Sequence, residues 1–440
     1  MKFNISLFFT SIFVGLLPEI FNINDTLDYN SKIVLSMTLI MVCLWFTEAI
    51  PSSVTALIPI MVVPFLNVIE IKDVVSRYSS PVVFLILGGF LLAFGFEKSN
   101  LHKRIALKAI IVFGNTKRQL LICCIFSTAF FSMWLSNTAT CLLMLPIIKF
   151  LVDNPLNKDN VVDEIFPKIL LLSVAYSSSI GGMITPIGTI PNAIMLGFLN
   201  ENYNYQIDFI EWVFMVLPLA LIILTTLSIY FCFKVEKKST IKLSSLKNEY
   251  KNLGTFSFSE KISSLILVVT ASLWIFKNYL NSLFNINLSD ASIVIFCSLF
   301  FFIIPIDKKF RTILGFDWYR KVPWNILILF GGGLSMAFLV SETGLARTIS
   351  EQMYFIKNFE IFIIILLLTF FTSIITEFTS NTATTFLLLP LFAAFAIASD
   401  INVIKLLLPI VLAASCAFMM PISTPPNAIV FSTNKFTIKF

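Results

Sequence analysis

The sequence predicts an all-helical, polytopic membrane protein that contains an inverted repeat, with two re-entrant hairpins and two broken helices. Composition is the first reason: of 440 residues, 57% are hydrophobic and only 13% are charged, whereas a soluble domain has roughly 25% charged residues. The second reason is that many stretches reach the ~20 apolar residues needed to cross a bilayer. The third is a set of polar motifs that interrupt apolar stretches and recur, in the same order, in the second half of the chain.

Apolar stretches separated by short polar loops predict the membrane-spanning elements. They cover residues 4–21, 32–49, 52–69, 80–98, 163–200, 207–233, 260–281, 288–306, 322–342 and 403–431. Two longer apolar stretches, 119–152 and 359–398, are broken in the middle. The first stretch is interpreted as a retained helix and not as a signal peptide, because Pro18 and Glu19 lie near its end and no small-residue cleavage site follows.

Loop charge predicts orientation, since basic loops stay on the cytoplasmic side of a membrane. The basic loops are 101–118, 233–261 and 305–321. The predicted external loops, which carry acidic residues and no basic ones, are 22–31 and 201–211. An even number of crossings must lie between two cytoplasmic loops. The stretch 119–152 is therefore predicted to be a hairpin that enters from the cytoplasm. The loop 344–360 has balanced charge, which is compatible with outside, and the same count makes 359–398 a hairpin that enters from outside if 322–342 crosses once.

An internal repeat relates the two halves of the chain. Residues Ser136–Thr140 recur as Ser380–Thr384, at a spacing of 380 − 136 = 244. Residues Pro186–Ile194 recur as Pro421–Ile429, with seven of nine residues identical, at a spacing of 421 − 186 = 235. Because the two hairpins enter from opposite sides, the repeat is predicted to be inverted. Many secondary transporters have this arrangement, with the binding site near the membrane midplane where the repeats meet.

The predicted organisation has four consecutive segments. They are an N-terminal helix in residues 1–31, a first repeat in 32–233, a cytoplasmic linker in 234–259 and a second repeat in 260–440. Each repeat contains one hairpin and one broken helix, at about 119–152 and 163–200 in the first repeat and at about 359–398 and 403–431 in the second.

The four motifs interrupt apolar runs with Ser, Thr, Asn, Gly or Pro. Such breaks persist in a membrane only inside protein or around a wet cavity. Each break leaves carbonyls free at the end of one half-helix and amides free at the start of the next. The carbonyls, hydroxyls and Asn oxygens suit a hard cation such as Na⁺, and the amides suit an anion. Because the motifs contain no Arg, Lys or His, an anion bound there would depend on neighbouring cations.

The remaining titratable residues give weaker signals. Glu48 and Glu377 lie beside a break or at a helix end, and two interpretations stay open: structural hydrogen-bonded carboxylates, which we favour, or proton-coupling acids. His102 is the only histidine, and the seven cysteines lie in apolar segments without metal-ligand spacing. No enzyme site is therefore predicted. The net charge of +6 is spread over loops and does not indicate a nucleic-acid partner.

These motifs resemble the divalent anion/Na⁺ symporter family, which includes the sodium-dependent dicarboxylate, citrate and sulfate carriers. The likeness rests on two Pro-Asn motifs and on Thr47–Pro51, Thr55–Pro59, Trp134–Thr138 and Thr376–Thr382. It implies a transporter with scaffold and transport domains, elevator-type movement and a homodimer formed by the scaffolds. The chain departs from the family pattern at Ile190, where a Pro is common. It also ends at Phe440, where the family continues into a further helix, so either the sequence is truncated or the final helix is lacking.

The resemblance also implies site residues. The first Na⁺ site would contain Ser132, Ser136, Asn137 and Gly188. The second would contain Thr376, Ser380, Asn381 and the backbone at Ser423. The substrate would meet Ser136, Asn137, Thr138, Thr189, Ser380, Asn381, Thr382, Thr424 and Pro425.

The sequence thus predicts a multi-pass plasma-membrane protein, in the inner membrane if bacterial, that is not an enzyme. The favoured function is Na⁺-coupled uptake of small divalent anions, above all C4-dicarboxylates such as succinate, with Na⁺ as coupling ion and no cofactor. A Na⁺-independent dicarboxylate exchanger and a sulfate carrier stay open within the family, and an anion channel outside it. The expected partners are a dicarboxylate or sulfate, Na⁺, the lipid bilayer and a second copy of the chain.

Overall fold

The computed structural model of the protein describes residues 4–20, 27–66, 69–153, 165–235, 244–352 and 359–435. Within these ranges the regular structure is helical throughout, and no β-strand forms. In chain order the α-helices are α1 (Ile5–Ile20), α2 (Tyr29–Thr47), α3 (Ser52–Thr55), α4 (Ile58–Val62), α5 (Ile71–Ser76), α6 (Pro81–Lys98), α7 (Leu101–Phe113), α8 (Lys117–Ser132), α9 (Asn137–Asp153), α10 (Ile165–Met183), α11 (Ile190–Tyr203), α12 (Phe209–Phe233), α13 (Ser244–Asn252), α14 (Phe258–Phe284), α15 (Asp290–Ile303), α16 (Trp324–Glu342), α17 (Leu345–Gln352), α18 (Ile361–Phe378), α19 (Asn381–Ala398), α20 (Val403–Ala414) and α21 (Pro425–Phe431).

Several helices are long and apolar enough to cross a membrane. Within the described ranges there are eight: α2, the span Ile71–Lys98 that contains α5, a 3₁₀ turn and α6, and then α10, α12, α14, α16, α18 and α19. Their outward faces are apolar; Phe214 and Phe370 are more than half exposed, as expected of side chains that meet lipid. The predicted all-helical, multi-pass fold is therefore confirmed.

One predicted span has a different structure. Residues 52–65 do not form a single helix but the short α3 and α4 followed by a 3₁₀ turn at Val63–Phe65. Proline supplies the physical reason, because it has no backbone N–H and its ring clashes with the preceding turn. Pro59 stands at the start of α4, and Pro64 stands in the 3₁₀ turn.

Three predicted loops contain helices. The basic loop 101–118 holds α7, the linker holds α13, and the loop after α16 holds α17. In α7 the apolar residues Ala106, Leu107 and Ile110 are buried, while Lys108 is exposed. This is the amphipathic spacing of a surface helix, and the sequence prediction missed it by considering charge alone. Residues 22–26 of the predicted external loop and 236–243 of the predicted linker lie outside the described ranges.

The chain divides into two compact units. Unit 1 contains Met1–Phe84, Ile190–Gln206 and Pro323–Met419, and unit 2 contains Leu85–Thr189, Ile207–Val322 and Met420–Phe440. In unit 1, Glu201 on α11 accepts hydrogen bonds from Arg77 and Ser80. In unit 2, Lys277 on α14 bridges Asp208 and Asp290. These ion pairs connect segments that are distant in sequence within each unit.

Each unit contains one hairpin and two half-helices. In unit 2, α8 and α9 form the first hairpin and pack with α10 and α21. In unit 1, α18 and α19 form the second hairpin and pack with α20 and α11. Each hairpin therefore packs on the first half of the broken helix that follows it and on the second half of the other broken helix.

Candidate functional site

The turn of the first hairpin gathers three oxygen atoms in unit 2. Helix α8 ends at Ser132 and α9 begins at Asn137. The Ser132 hydroxyl lies 2.9 Å from Asn137 Oδ1 and 2.6 Å from the carbonyl oxygen of Ser178 in α10. A serine hydroxyl has one proton to donate, so it cannot satisfy both acceptors at once. The cluster is therefore rich in oxygen lone pairs and short of protons.

Glycines let the backbone of α10 and of the following break approach this cluster closely. A Cβ at Gly182 would lie 2.0 Å from Asn137 Oδ1. A Cβ at Gly188 would lie 2.5 Å from the carbonyl oxygen of Gly182 and 2.7 Å from that of Ser132. No side chain fits at these distances. The glycines thus bring further carbonyl oxygens to the place where α8, α9 and α10 meet.

The second hairpin repeats this arrangement in unit 1. Thr376 Oγ1 lies 2.9 Å from Asn381 Oδ1 and 2.7 Å from the carbonyl oxygen of Ala414, the last residue of α20. The side chain of Thr376 is fully buried, as is that of Ser132 in the first cluster. Again one hydroxyl proton faces two acceptor oxygens.

The two clusters correspond through the internal repeat. Thr376 follows Ser132 by 376 − 132 = 244 residues, and Asn381 follows Asn137 by 381 − 137 = 244. The hydroxyl-to-amide distance is 2.9 Å in both units. Hydroxyl, amide and carbonyl oxygens are the ligands that hard cations prefer, and half-helix ends with unwound carbonyls supply them in other transporters. The residues of each cluster therefore fit a cation such as Na⁺.

The Ser residues of the two Ser-Asn-Thr motifs cap the returning hairpin helices. Ser136 accepts a hydrogen bond from the Ala139 amide (3.3 Å), and Ser380 accepts one from the Ala383 amide (3.2 Å). Both serines are exposed. Each therefore marks a helix N-terminus, where free amides and the positive end of the helix dipole favour an anion. Thr138 and Thr382 follow in the first turns of α9 and α19.

The second Pro-Asn motif lies in unit 2 together with the first hairpin. Thr424 caps α21, accepting from the Asn427 amide, and Cys141 of α9 approaches the Pro426 carbonyl at 3.7 Å. Ser423 donates to the Met420 carbonyl (2.7 Å). The role of Ser423 as a cation ligand and those of Thr189, Thr424 and Pro425 as substrate ligands stay predictions.

The two carboxylates that the sequence singled out differ in their surroundings. Glu377 is buried in unit 1 and accepts hydrogen bonds from the amides of Phe418 (2.7 Å) and Met419 (2.9 Å). It thereby satisfies backbone amides freed where α20 ends. Glu48 is exposed and follows α2 with a left-handed backbone (φ +47°). These surroundings favour the structural interpretation for Glu377.

Sequence reasoning missed several members of the clusters. The carbonyls of Ser178 and Ala414 are backbone atoms, which no residue type identifies. Gly182 was not singled out either, although the Gly181-Gly182 pair in an apolar helix is a usable signal for close backbone approach. In unit 2, Thr185 also donates to the Met133 carbonyl (2.6 Å) and accepts from the Gly188 amide (3.1 Å), which fixes the first break.

Comparison with known proteins gives consistent matches along the chain. A family model described as "Sodium:sulfate symporter transmembrane region" matches residues 3–440. A sodium-dependent dicarboxylate transporter, SdcS, from Staphylococcus saprophyticus is 35% identical over 428 residues, which cover 94% of this chain and 82% of that protein. SdcS from Staphylococcus aureus strain USA300 is 35% identical over 437 residues, covering 96% of this chain and 84% of that protein.

A solved structure shares the fold. The crystal structure of the Alcanivorax borkumensis YdaH transporter, described as having an unusual topology, aligns with a TM-score of 0.53 and 12% identity. The alignment covers 94% of this chain and 93% of that one. At this identity the likeness concerns the fold alone.

Proposed function

The chain belongs to the sodium:sulfate symporter family, as its motifs predicted, and on this premise we propose that it couples Na⁺ entry to the uptake of C4-dicarboxylates such as succinate. Membership makes it a multi-pass plasma-membrane transporter and not an enzyme. The staphylococcal relatives are named as sodium-dependent dicarboxylate transporters. Their names support a dicarboxylate as substrate and Na⁺ as coupling ion here.

The observation that carries this proposal is the pair of matched oxygen clusters. In each unit a buried hydroxyl, an Asn side-chain oxygen and a half-helix carbonyl converge within hydrogen-bonding distance. We assign one Na⁺ to each cluster. Asn137 and Asn381 then present their oxygens to cations, and their NH₂ groups are the atoms we assign to the substrate carboxylates, together with the free amides that begin α9 and α19.

Charge balance gives these cations a role in substrate binding. The hairpin and break motifs contain no Arg, Lys or His, and a helix end supplies only about half a positive charge. A dicarboxylate brings about two negative charges, and burial of an uncompensated charge is expensive. Two bound Na⁺ ions would supply the missing positive charge, so that cation and anion bind together.

Sulfate is the second candidate substrate, because the description of the matching family names sodium:sulfate symport. We expect uptake of labelled succinate into proteoliposomes to saturate and to be inhibited by excess fumarate or malate more strongly than by sulfate. Stronger inhibition by sulfate would make the protein a sulfate carrier. Uptake that rises linearly with succinate concentration would instead indicate a channel.

We also propose the inverted repeat, elevator-type movement and a homodimer formed by scaffold elements, as the family resemblance implies. The repeat is supported by helices as well as by motifs: α17 begins 345 − 101 = 244 residues after α7, both helices follow apolar spans, and both begin with Leu. The basic loop that holds α7 predicts a cytoplasmic position, and the charge-balanced loop 344–360 that holds α17 is compatible with an external one.

The equivalent helices allow a direct test of inversion. Lys108 on α7 and Arg347 on α17 are both exposed. After reactive native thiols are removed, a membrane-impermeant maleimide should label Lys108→Cys only from the cytoplasmic side and Arg347→Cys only from outside. Labelling of both cysteines from one side would mean that the repeats are parallel.

A further inference from the structure

Two buried serines, each directly following a residue whose carbonyl belongs to an oxygen cluster, have no hydrogen-bond partner among the described residues. They are Ser179 in α10 and Ser415, which follows the last residue of α20. Each has a solvent-exposed fraction of 0%. A hydroxyl buried without a partner has lost its bonds to water and gained none in return. Such a group in a folded protein needs an explanation.

Other serine hydroxyls in α10 do have hydrogen-bond partners. Serines in helices usually donate to a carbonyl three or four residues earlier. Ser173 donates in this way to Leu170 (2.7 Å), and Ser178 donates to Ala175 (2.8 Å). The Ala175 carbonyl, four residues before Ser179, thus already receives the Ser178 hydroxyl in addition to the amide of the helix. The Ser179 hydroxyl donates neither to Ala175 nor to Tyr176, the two carbonyls that this pattern would offer it.

The two serines occupy the same place relative to the carbonyl of their cluster. Each directly follows the residue whose carbonyl accepts a hydrogen bond from the hairpin hydroxyl, Ser178 in unit 2 and Ala414 in unit 1. The two serines are 415 − 179 = 236 residues apart, one more than the spacing of 235 that relates the two Pro-Asn motifs. In both halves of the chain, the residue that directly follows the cluster carbonyl thus carries a buried hydroxyl without a partner among the described residues.

We propose that the hydroxyls of Ser179 and Ser415 are further ligands of the two coupling cations, one in each cluster. The inference rests on the proposed Na⁺ coupling. A hydroxyl oxygen can bind a cation through its lone pairs, which accounts for a buried hydroxyl that no protein group satisfies. It would extend each cluster beyond the hydroxyl, amide and carbonyl oxygens already described.

The test is the Na⁺ response of Ser179→Ala and Ser415→Ala, measured on the purified, full-length protein without substrate. Na⁺ binding to the folded state raises the melting temperature. We expect both variants to melt as the native protein does in choline chloride but to show a smaller rise in NaCl. In proteoliposomes, the Na⁺ concentration for half-maximal succinate uptake should rise about tenfold, as expected for loss of one bond to a charged group.

The matched control is Ser36→Ala. Ser36 in α2 is also buried, with no partner for its hydroxyl among the described residues, but it belongs to neither cluster. It should leave the Na⁺ response unchanged. If Ala at 179 or 415 lowers the melting temperature in choline, Ser179→Cys and Ser415→Cys keep the side-chain volume while replacing a hard oxygen by a soft sulfur; they should show the same weakened Na⁺ response.

Two outcomes separate this inference from the proposed function. If the native protein responds to Na⁺ and the four variants respond equally, Ser179 and Ser415 are not ligands, although Na⁺ coupling stands. If the native protein itself shows no Na⁺ response in melting or in uptake, the proposed coupling fails and the inference fails with it.

Discussion

Replacement of Asn137 or Asn381 by alanine is expected to abolish succinate uptake while leaving membrane insertion intact. Each Asn oxygen contacts a buried hydroxyl at 2.9 Å, and we assign it to a cation and the NH₂ group to the substrate. Loss of one partner from a buried charged site costs about 3–5 kcal/mol. Uptake at limiting Na⁺ and succinate should therefore fall more than about 100-fold. Initial rates in proteoliposomes, normalised to inserted protein, measure this.

A matched control uses another amide on a helix. Asn202 in α11 donates a local hydrogen bond to the Phe198 carbonyl (2.9 Å) and belongs to neither oxygen cluster, so Asn202→Ala should transport at close to the native rate. If Asn137→Ala or Asn381→Ala took up succinate at the native rate at the same Na⁺ concentration, these side chains would not belong to the binding site.

A second variant tests the same geometry without changing Asn137. In Gly182→Ala the new Cβ would lie 2.0 Å from Asn137 Oδ1, so the amide must move and uptake should be lost. Gly197→Ala is the control, because its Cβ would lie 3.3 Å from the flexible side chain of Leu334. Full uptake by Gly182→Ala would show that the close approach is not needed.

The fold was predictable because its strongest signals are local. Long apolar helices such as α12 and α18 satisfy their own backbone and present apolar side chains, so composition and length identify them. The amphipathic helices α7 and α17 were missed because their charged residues were taken as loop signals. Pro59 and Pro64 interrupt the helix in residues 52–65. Both prolines are visible in the sequence, but the prediction of this span considered only the length of the apolar stretch.

The candidate site was predictable only in part. The repeat identified Asn137 and Asn381, since duplicated polar motifs in apolar segments are visible in a single sequence. It could not identify the Ser178 and Ala414 carbonyls or the unsatisfied hydroxyls of Ser179 and Ser415. The positions of these carbonyls and hydroxyls depend on which segments pack together. Every residue has a backbone oxygen, so the residue type does not identify the ones that belong to a cluster. Assignment of the half-helices to units also depends on tertiary contacts.

The second large effect expected is loss of transport when Na⁺ is withdrawn. We have proposed that two bound cations supply the positive charge that the breaks lack, so removal of Na⁺ would leave a dianion with only helix-end dipoles as compensation. Linkage requires the reciprocal effect, in which succinate tightens Na⁺ binding by the same factor. Both effects are expected because the motifs contain no basic side chain that could balance the charge of the substrate.

The most direct measurement is uptake of labelled succinate into proteoliposomes under an inward Na⁺ gradient, compared with choline at equal ionic strength. Coupling through the two oxygen clusters predicts transient accumulation of succinate above its external concentration in Na⁺ and no uptake above background in choline. Equal uptake in the two salts, or uptake that requires only succinate inside the liposomes, would contradict this account and identify a Na⁺-independent exchanger.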